Sequence, residues 1–339
     1  MDILNVTASK NYQVFITDSF NGVKDKILPL IKGENVLILT DEKVDELYYA
    51  QVADNFSQKK VFKYVIGASE DSKNFDNYYK ILNFLCENAF DRKDTIIALG
   101  GGVVSDLAGF LASTFMRGIS FITIPTTILS AVDASVGGKT AINMPQGKNL
   151  VGAFYQPSAV YINVETFGSL PDKEKRSGLG EIIKYLFIDN RLTVQDVLKN
   201  DIKKVIFKCL TIKSDIVSQD ERESNIRKLL NFGHTIGHAV EILSNFKISH
   251  GECVAIGIDY AIDISQKYYK LDLDTTNRLK SAILLLKNRQ NVSFSKEQIL
   301  SAIKHDKKRF GDSVDFILVK DLGKAEIVNI KIDELGNLL

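Results

Sequence analysis

The sequence has few cysteines, almost no net charge and no long apolar run, and each shortage argues against a class of protein. Its 3 cysteines are too few and too scattered to form a disulfide framework or a thiolate metal site. The 43 lysines and arginines nearly balance the 42 aspartates and glutamates, so global charge favours neither a nucleic-acid partner nor a membrane surface. No apolar run approaches the roughly 18 residues that cross a bilayer, and the first residues lack the pattern of a secretory leader. We therefore expect a cytoplasmic protein.

Two periodicities divide the chain. Up to about residue 165, short β-branched runs alternate with longer amphipathic segments, which is the pattern of βα units. These runs are NVLILT at 35–40, VFKYVI at 61–66, TIIALGGG at 95–102 and FITIPTT at 121–127. From about Leu170 the apolar period becomes that of helices, and strands are predicted again only at SVDFILV and AEIVNI near the end.

We predict an α/β, Rossmann-like nucleotide-binding domain over residues 1–168 and a mostly α-helical domain over residues 169–339. A length of 339 residues fits about two domains, and 45% apolar residues supply an ample core. No low-complexity linker separates the halves. We therefore expect the functional site in a cleft where the two domains share an interface.

Histidine is also scarce, yet three of the 4 histidines lie in one stretch, NFGHTIGHAVEILSNFKISHGE. The spacing of His234 and His238 places both imidazoles on one helix face, and His250 follows a predicted helix break. Imidazole is a common zinc ligand, and catalytic zinc sites typically use three protein ligands. The stretch predicts a divalent-metal site, with a hydrogen-bonded histidine pair as the alternative. Three neighbouring glycines destabilise helix interiors, which predicts close approach at Gly233, Gly237 and Gly251.

Two glycine-rich turns are candidate anion sites. Gly100–Gly102 lead from a predicted strand into the helix VVSDLAGFLAS, whose first amides suit a dinucleotide pyrophosphate. The spacing is not GxGxxG, so a purely structural turn is the alternative. SVGGKT (135–140) resembles the end of a P-loop, but Asp133 stands where its first glycine belongs, which argues against a nucleoside triphosphatase. Lys139 in this turn and Lys148 beyond it suit oxyanions, unless they are solvated surface lysines.

Charged side chains also occur where a helix should be apolar. Glu181 and Lys184 lie three apart in GLGEIIKYLF, where charges are expected only if they are paired or bind something. An intrahelical ion pair is the simpler interpretation. Lys213, Arg227 and Asn231 add two cations and an amide upstream of the histidines. Together these residues predict an anionic small molecule bound beside a metal.

The motifs together resemble the 3-dehydroquinate synthase family. They follow one another in the family's order as GGGVVSDLAGFLASTFMRGISFITIPTTILSAVDASVGGKTAIN, GKNLVGAFYQP, GLGEIIKY, LLNFGHTIGHAVE and HGECVAIG. The resemblance extends over almost the whole chain. It implies a lyase of the shikimate pathway that forms 3-dehydroquinate and phosphate from 3-deoxy-D-arabino-heptulosonate 7-phosphate. The implied steps are NAD oxidation, phosphate elimination, reduction and aldol closure. NAD, zinc or cobalt, and a homodimer are implied as well.

The resemblance also assigns residues to roles. The implied metal ligands are Glu181, His234 and His250, so His238 contacts substrate instead of metal. Other implied substrate contacts are Arg117, Asp133, Lys139, Lys148, Asn149, Lys184, Lys213, Arg227 and Asn231, with Lys307 or Lys308 near the phosphate. The implied NAD contacts are Asp41, Glu70, Lys73, Gly101, Gly102, Val103, Val104, Ser105, Asp106, Thr126, Thr127, Lys139, Lys148, Thr166, Phe167, Gly168 and Ser169.

Three alternatives compete with this interpretation. A metal- and NAD-dependent polyol dehydrogenase shares the glycine turn and the histidines, but a neutral polyol gives no reason for so many cations. A sister sugar phosphate cyclase uses the same cofactors, although Asn149, Asn231 and His238 keep the identities of the 3-dehydroquinate synthase family. A non-catalytic protein that binds a phosphorylated metabolite is disfavoured because the implied ligands are all present.

Overall fold

The computed structural model describes residues 1–287, 292, 294–307 and 312–339, with only the backbone at 305–307. The chain forms two compact units. The first contains Met1–Leu170 and Lys213–Glu221, and the second contains Pro171–Ile212 and Arg222–Leu339. From the sequence we predicted a single boundary between residues 168 and 169. That prediction did not anticipate that the later segment Lys213–Glu221 belongs to the first unit. None of the described helices is long and apolar enough to cross a membrane.

The described strands are β1 Asp2–Val6, β2 Tyr12–Thr17, β3 Asn35–Asp41, β4 Lys60–Ile66, β5 Thr95–Gly100, β6 Ser120–Pro125, β7 Lys139–Met144, β8 Gly147–Phe154, β9 Ala159–Asn163, β10 Ser313–Val319 and β11 Ala325–Lys331. The α-helices are α1 Val23–Ile27, α2 Glu42–Val44, α3 Ala50–Ala53, α4 Phe75–Glu87, α5 Gly102–Thr114, α6 Asp172–Ile188, α7 Val194–Leu198, α8 Ile202–Gln219, α9 His234–Leu243, α10 His250–Tyr269, α11 Leu273–Ile283, α12 Lys296–Lys307 and α13 Ile332–Leu338. Short 3-10 or π segments lie at Leu28–Leu30, Asp45–Tyr49, Asp54–Phe56, Glu70–Ser72, Phe115–Arg117, Ser130–Ala134, Val164–Ser169 and Ile226–Asn231.

The first unit is built on one sheet. Its strand order within the described residues is β1-β2-β9-β6-β5-β3-β4, with β1 antiparallel to β2 and the other neighbours parallel. Chain order reverses between β3 and β5, and ligands of such open α/β sheets bind outside the carboxyl ends of strands at this kind of switch point. Asp41 ends β3 and Gly101 follows β5, so both lie at this edge.

Both faces of the sheet are covered. Leu37 and Leu39 of β3 pack with α4 and α5 residues on one face, while Val36 and Ile38 belong to the core on the other. This alternation is the two-residue period of a strand. A strand buried on both faces has a nearly continuous apolar sequence, which is why β3, β5 and β6 were predicted from sequence. Strand β4, which is only partly buried, was predicted as well. The prediction missed β1, β2, β7, β8 and β9.

The second unit is mostly helical in its described part, apart from the antiparallel pair β10 and β11. The predicted break before His250 is confirmed, because α9 ends at Leu243 and α10 begins at His250. The helical period that begins near Leu170 does not correspond to one continuous helix through RKLLNFGHTIGHAVEIL. A 3-10 segment ends at Asn231, and Gly233 then takes φ +79° before α9 begins. That left-handed conformation is one that glycine adopts without strain.

Helices α6 and α10 approach each other main chain to main chain. A Cβ atom at Gly180 would lie 2.0 Å from the carbonyl oxygen of Gly251, and one at Gly251 would lie 1.8 Å from that of Ser177. Neither site can hold a side chain without displacing the backbone. The contact therefore brings the next residue on α6, Glu181, close to the residue preceding Gly251, His250. The close approach that the glycines predicted is present.

Candidate functional site

One carboxylate and two imidazoles converge within the second unit. Glu181 Oε1 lies 3.5 Å from His234 Nε2 and 3.3 Å from His250 Nε2. The three donor atoms fall within 4.8 Å of one another, and they come from α6 and from the first residues of α9 and α10. A carboxylate oxygen with two imidazole nitrogens is a donor set that suits zinc or cobalt.

The second oxygen of Glu181 has a different partner. Lys184 Nζ donates to Glu181 Oε2 at 2.5 Å, and both side chains are 1% exposed. The pair predicted along this helix is therefore present and fully buried. Since Oε2 is held by the lysine while Oε1 faces the imidazoles, the arrangement favours one-oxygen coordination by Glu181.

The outer nitrogens of the two imidazoles are also held. His234 Nδ1 lies 3.2 Å from the carbonyl oxygen of Phe232, and His250 Nδ1 lies 3.4 Å from Glu241 Oε2. A carbonyl oxygen can only accept, so Nδ1 of His234 carries the proton and Nε2 keeps its lone pair. Such outer partners fix the tautomer and orientation of imidazoles that bind metals.

The two imidazoles differ in their proton affinity. Burial lowers the pKa of His234 to about 3, so this ring is neutral. Burial also lowers the pKa of His250, but the carboxylates of Glu181 and Glu241 raise it more, to about 10. In the absence of metal, a proton on His250 thus supplies positive charge beside Glu181.

His238 does not belong to the cluster around Glu181. The rings of His234 and His250 are 5.4 Å apart between centroids, and the ring of His238 adjoins both, at 5.5 Å and 5.8 Å, so ring spacing does not separate His238 from them. Its donor atom groups instead with those of Glu241 and His250. Sequence reasoning missed Glu241, although a signal existed: it lies seven residues after His234, which is two turns along the same helix face.

The remaining second-unit residues precede the histidines. Arg227 is buried in the 3-10 segment that ends at Asn231. The Asn231 side-chain amide donates to Glu223 Oε1 at 2.6 Å. Glu223 is a second residue that sequence reasoning missed. Lys307 and Lys308 lie outside the residues whose side chains the structure describes.

In the first unit, the glycine turn joins β5 to α5. Gly101 is the N-cap of α5 and Gly102 its first residue, so the first amides of the helix are available to an anion. A Cβ atom at Gly101 would lie 3.2 Å from Thr127 Cγ2, which leaves little room for a side chain. Ser105 is buried, and its hydroxyl donates to the Gly101 carbonyl oxygen at 3.2 Å. That side chain therefore turns back onto its own helix.

The segment after β4 carries a buried cation. Lys73 Nζ lies 2.8 Å from Asp106 Oδ2 and 3.3 Å from Glu70 Oε1. Burial lowers the pKa of Lys73, but the two carboxylates raise it more, so the net shift is upward. Burial raises the pKa of Asp106 more than Lys73 lowers it.

Asn143, which sequence reasoning did not select, links this segment to the β7–β8 hairpin. Its main-chain amide donates to the Lys73 carbonyl oxygen and its side-chain amide to Glu70 Oε1, both at 2.7 Å. Its side-chain oxygen accepts from the main-chain amide of Asn149 at 2.9 Å. No periodicity marks this residue in the sequence.

The other residues implied for NAD follow strand ends at the same edge. Asp41 caps α2, and its Oδ1 accepts from the amides of Lys43 and Val44 at 3.1 Å each. Burial raises the pKa of Asp41 more than these amides lower it. Thr126 and Thr127 follow β6, and Thr166–Ser169 follow β9. Apart from Lys139 and Lys148, which lie in β7 and β8, the implied NAD contacts thus lie beyond the carboxyl ends of β3, β4, β5, β6 and β9.

The cations of the first unit divide into buried and exposed ones. Lys213 is buried and donates to the Asp133 carbonyl oxygen at 2.5 Å and to its Oδ1 at 2.7 Å. Among the first-unit residues implied to contact substrate, those with exposed side chains are Arg117, Lys139, Lys148 and Asn149. Lys139 begins β7, and Lys148 and Asn149 lie early in β8.

A mostly parallel sheet combined with a helical unit is a fold that this chain shares with several solved synthases and dehydrogenases. A 2-deoxy-scyllo-inosose synthase solved with carbaglucose-6-phosphate, NAD+ and Co2+ matches with a TM-score of 0.90 at 22% identity, covering 99% of each chain. A 2-epi-5-epi-valiolone synthase from Streptomyces hygroscopicus, solved with NAD+ and Zn2+, matches at 0.86 and 22% identity, covering 99% of this chain and 97% of that one. An iron-containing alcohol dehydrogenase from Thermotoga maritima matches at 0.67 and 15% identity, covering 99% and 98%. These likenesses establish the fold and confirm the predicted fold class.

The chain belongs to the 3-dehydroquinate synthase family. The family models for 3-dehydroquinate synthase match residues 63–177 with the N-terminal part and residues 178–309 with the C-terminal part. The 3-dehydroquinate synthase of Bacillus cytotoxicus is 40% identical, covering 96% of this chain and 91% of the relative. That of Thermoanaerobacter sp. is 37% identical, covering 100% of both. These matches confirm the resemblance to the 3-dehydroquinate synthase family, a family of enzymes, that the sequence motifs indicated.

Proposed function

We propose that the chain catalyses the reaction of its family, the conversion of 3-deoxy-D-arabino-heptulosonate 7-phosphate to 3-dehydroquinate and phosphate. The observation that carries this proposal is the convergence of Glu181, His234 and His250, each of which has a second polar atom close to a further partner. A metal site of this kind is what the family's chemistry requires, and the family relation supplies the substrate.

Zinc or cobalt is the metal that fits, with Glu181, His234 and His250 as its ligands. When bound, the metal would acidify a substrate hydroxyl, and NAD would accept and return a hydride. The protein groups around the cluster serve the ligands. Lys184 holds the second oxygen of Glu181, and the Phe232 carbonyl orients His234. The ligand geometry is thus set before metal arrives.

NAD is proposed to bind beyond the carboxyl ends of the first unit's strands. The pyrophosphate would meet the amides at the start of α5, while Asp41 would accept from a ribose hydroxyl. The proposed NAD contacts are Asp41, Glu70, Lys73, Gly101, Gly102, Val103, Val104, Ser105, Asp106, Thr126, Thr127, Lys139, Lys148, Thr166, Phe167, Gly168 and Ser169. The buried hydrogen bond of Ser105 supports a main-chain role for that residue.

The substrate carries a carboxylate and a phosphate, and both groups are bound by cationic and amide hydrogen-bond donors. The residues proposed to bind it are Arg117, Asp133, Lys139, Lys148, Asn149, Lys184, Lys213, Arg227, Asn231, His238 and Lys307. Charge-assisted hydrogen bonds from lysine and arginine hold such oxyanions most strongly. The phosphate so held can accept the proton released as it departs, since elimination removes a neighbouring proton.

One assay separates this function from its alternatives. With metal and NAD supplied, we expect one phosphate released for each 3-dehydroquinate formed and no steady accumulation of NADH. A phosphate assay read beside the nicotinamide absorbance measures both. Net NADH formation from a polyol would indicate a dehydrogenase. Phosphate release from a different sugar phosphate alone would indicate a sister cyclase, and binding without turnover would indicate a non-catalytic protein.

We propose three further properties with the function. Residues 1–168 form the NAD-binding domain and residues 169–339 the metal- and substrate-binding domain, with Lys213–Glu221 contributed to the first unit. The protein acts as a homodimer in the cytoplasm. Light scattering on the purified protein and fractionation of the source cells test the last two properties.

A further inference from the structure

We propose that Glu241 is a positioning residue of the metal site, which holds the Nδ1 proton of His250 and thereby aims Nε2 at the metal. The inference rests on the proposed metal ligands Glu181, His234 and His250. It assigns to Glu241 a role that acts through His250 and not through the metal itself.

The geometry of α9 makes this role possible. His234 is the first residue of the helix, and Glu241 lies two turns later on the same face. Glu241 Oε2 is 3.4 Å from His250 Nδ1, and Glu241 is 9% exposed. One helix thus supplies a ligand at its start and the partner of the next helix's ligand near its end.

The two imidazoles are held in different ways. A main-chain carbonyl oxygen, that of Phe232, faces Nδ1 of His234, and no substitution at a single side chain removes it. A side chain faces Nδ1 of His250, whose own side chain is 33% exposed, compared with 12% for His234. The orientation of the more exposed ring therefore depends on a group that mutation can delete.

A carboxylate is well suited to this position. It accepts the Nδ1 proton, makes Nε2 a better donor to a cation and restricts rotation of the ring. Loss of such an outer partner typically weakens metal binding by about 10–100-fold. A residue that coordinated the metal directly would instead change the coordination shell when it is removed.

The test compares zinc affinity in metal-free wild type, Glu241→Gln and Glu241→Ala by competition with a chelator. We expect Glu241→Ala to weaken zinc binding by about 10–100-fold. Glu241→Gln should weaken it less, because the amide oxygen still accepts the same hydrogen bond. The control is Asp196→Asn, which removes another second-unit carboxylate whose partners are Thr193 and Lys208. Its zinc affinity should equal that of wild type.

The absorption spectrum of the cobalt-substituted protein distinguishes positioning from direct coordination. Glu241→Ala should keep the band positions and intensities of wild type at saturating cobalt. Unchanged zinc affinity in Glu241→Ala would overturn the inference. So would a change in the positions or intensities of the cobalt bands in Glu241→Ala relative to wild type. If the alanine variant does not fold, as judged by circular dichroism, the same two measurements on Glu241→Gln decide.

Failure of the inference is distinct from failure of the proposed function. The proposed metal site is wrong if wild type binds no zinc. It is also wrong if Glu181→Gln binds zinc as tightly as wild type does. If Glu181→Gln loses zinc while both Glu241 variants bind it as wild type does, only the role of Glu241 is wrong.

Discussion

The two units form their candidate sites from different chemical groups. In the first unit, the groups proposed for NAD lie on turns after strand ends, and main-chain amides at the start of α5 are central to them. In the second unit, the proposed metal ligands are side chains from three helices, and Glu181, with its partner Lys184, is fully buried. A site made of main-chain groups tolerates many side-chain changes, whereas one made of a few buried charges does not. We therefore expect single substitutions to have larger effects in the second unit.

The largest effect is expected at the proposed ligands. Glu181→Gln and His250→Ala should nearly abolish zinc binding and lower turnover by about 1,000-fold or more, since a bound metal supplies several kcal/mol of transition-state stabilisation. Metal analysis of the dialysed proteins and steady-state turnover provide the measurements. Circular dichroism should show the wild-type fold. Equal metal content in wild type and both variants would contradict the ligand assignment.

Two of the buried lysines, Lys184 and Lys213, give the next largest difference. Lys184→Met leaves the buried carboxylate of Glu181 with His250 still beside it as a charged neighbour. We expect the metal-free protein to be destabilised, by less than the roughly 3–5 kcal/mol that an uncompensated buried charge costs. Lys213→Met should cost less, because its partner Asp133 is 31% exposed at the side chain and is partly solvated. Urea unfolding of both variants checks the order. A larger loss for Lys213→Met would show that the first unit depends more on buried charge than we infer.

A methyl group at the helix contact should have an intermediate effect. Gly251→Ala places a Cβ atom 1.8 Å from the Ser177 carbonyl oxygen, so α6 and α10 must separate. We expect a loss of about 1–3 kcal/mol in unfolding free energy and weaker zinc binding, because Glu181 and His250 move apart. The control is Gly168→Ala in the first unit, where a Cβ atom meets nothing within 4 Å. Its stability and zinc affinity should match wild type.

The smallest effect is expected at the glycine turn. Gly101→Ala brings a Cβ atom to 3.2 Å from Thr127 Cγ2, a crowding that a small shift relieves. We expect NAD affinity to fall by about 3–10-fold, which corresponds to about 1 kcal/mol. Calorimetric titration with NAD provides the measurement. Adding Thr127→Ser removes the crowded methyl group and should restore part of the affinity; no recovery in the double variant would argue against this cause.

How much the sequence predicted also differs between the units. The runs at β3, β5 and β6 are mostly apolar because these strands are covered on both faces, so their β-branched and apolar residues revealed them. The β7–β8 hairpin was missed because β8 is mostly exposed and contains two glycines, so its residues do not alternate between apolar and polar as in a half-buried strand. Periodicity reports which face of an element is buried, and it does not report what lies opposite.

The same limit applies to the candidate sites. The histidine spacing predicted a shared helix face for His234 and His238, and both do lie on α9. It did not reveal that Glu181, far away in sequence, groups with His234 and His250; only the family resemblance implied that set. The position of Glu241 was readable from helical spacing. That of Asn143 was not, because its hydrogen bonds depend on how a hairpin folds back on a distant turn.

The hydrogen bonds of the Glu221 carboxylate determine which fragments of the chain would contain the complete first unit. Glu221 accepts from the Ser9 amide at 2.7 Å, from the Ser9 hydroxyl at 2.6 Å and from the Gln156 side chain at 2.8 Å. These hydrogen bonds and the one from Lys213 to Asp133 connect the segment Lys213–Glu221 to residues of Met1–Leu170. The chain therefore passes from one unit to the other after Leu170, after Ile212 and after Glu221. A fragment that stops near Leu170 would lack both anchors. The first unit is therefore completed by a segment that begins only at Lys213, well beyond Leu170 in the chain, and a fragment meant to contain the whole unit must include Lys213–Glu221.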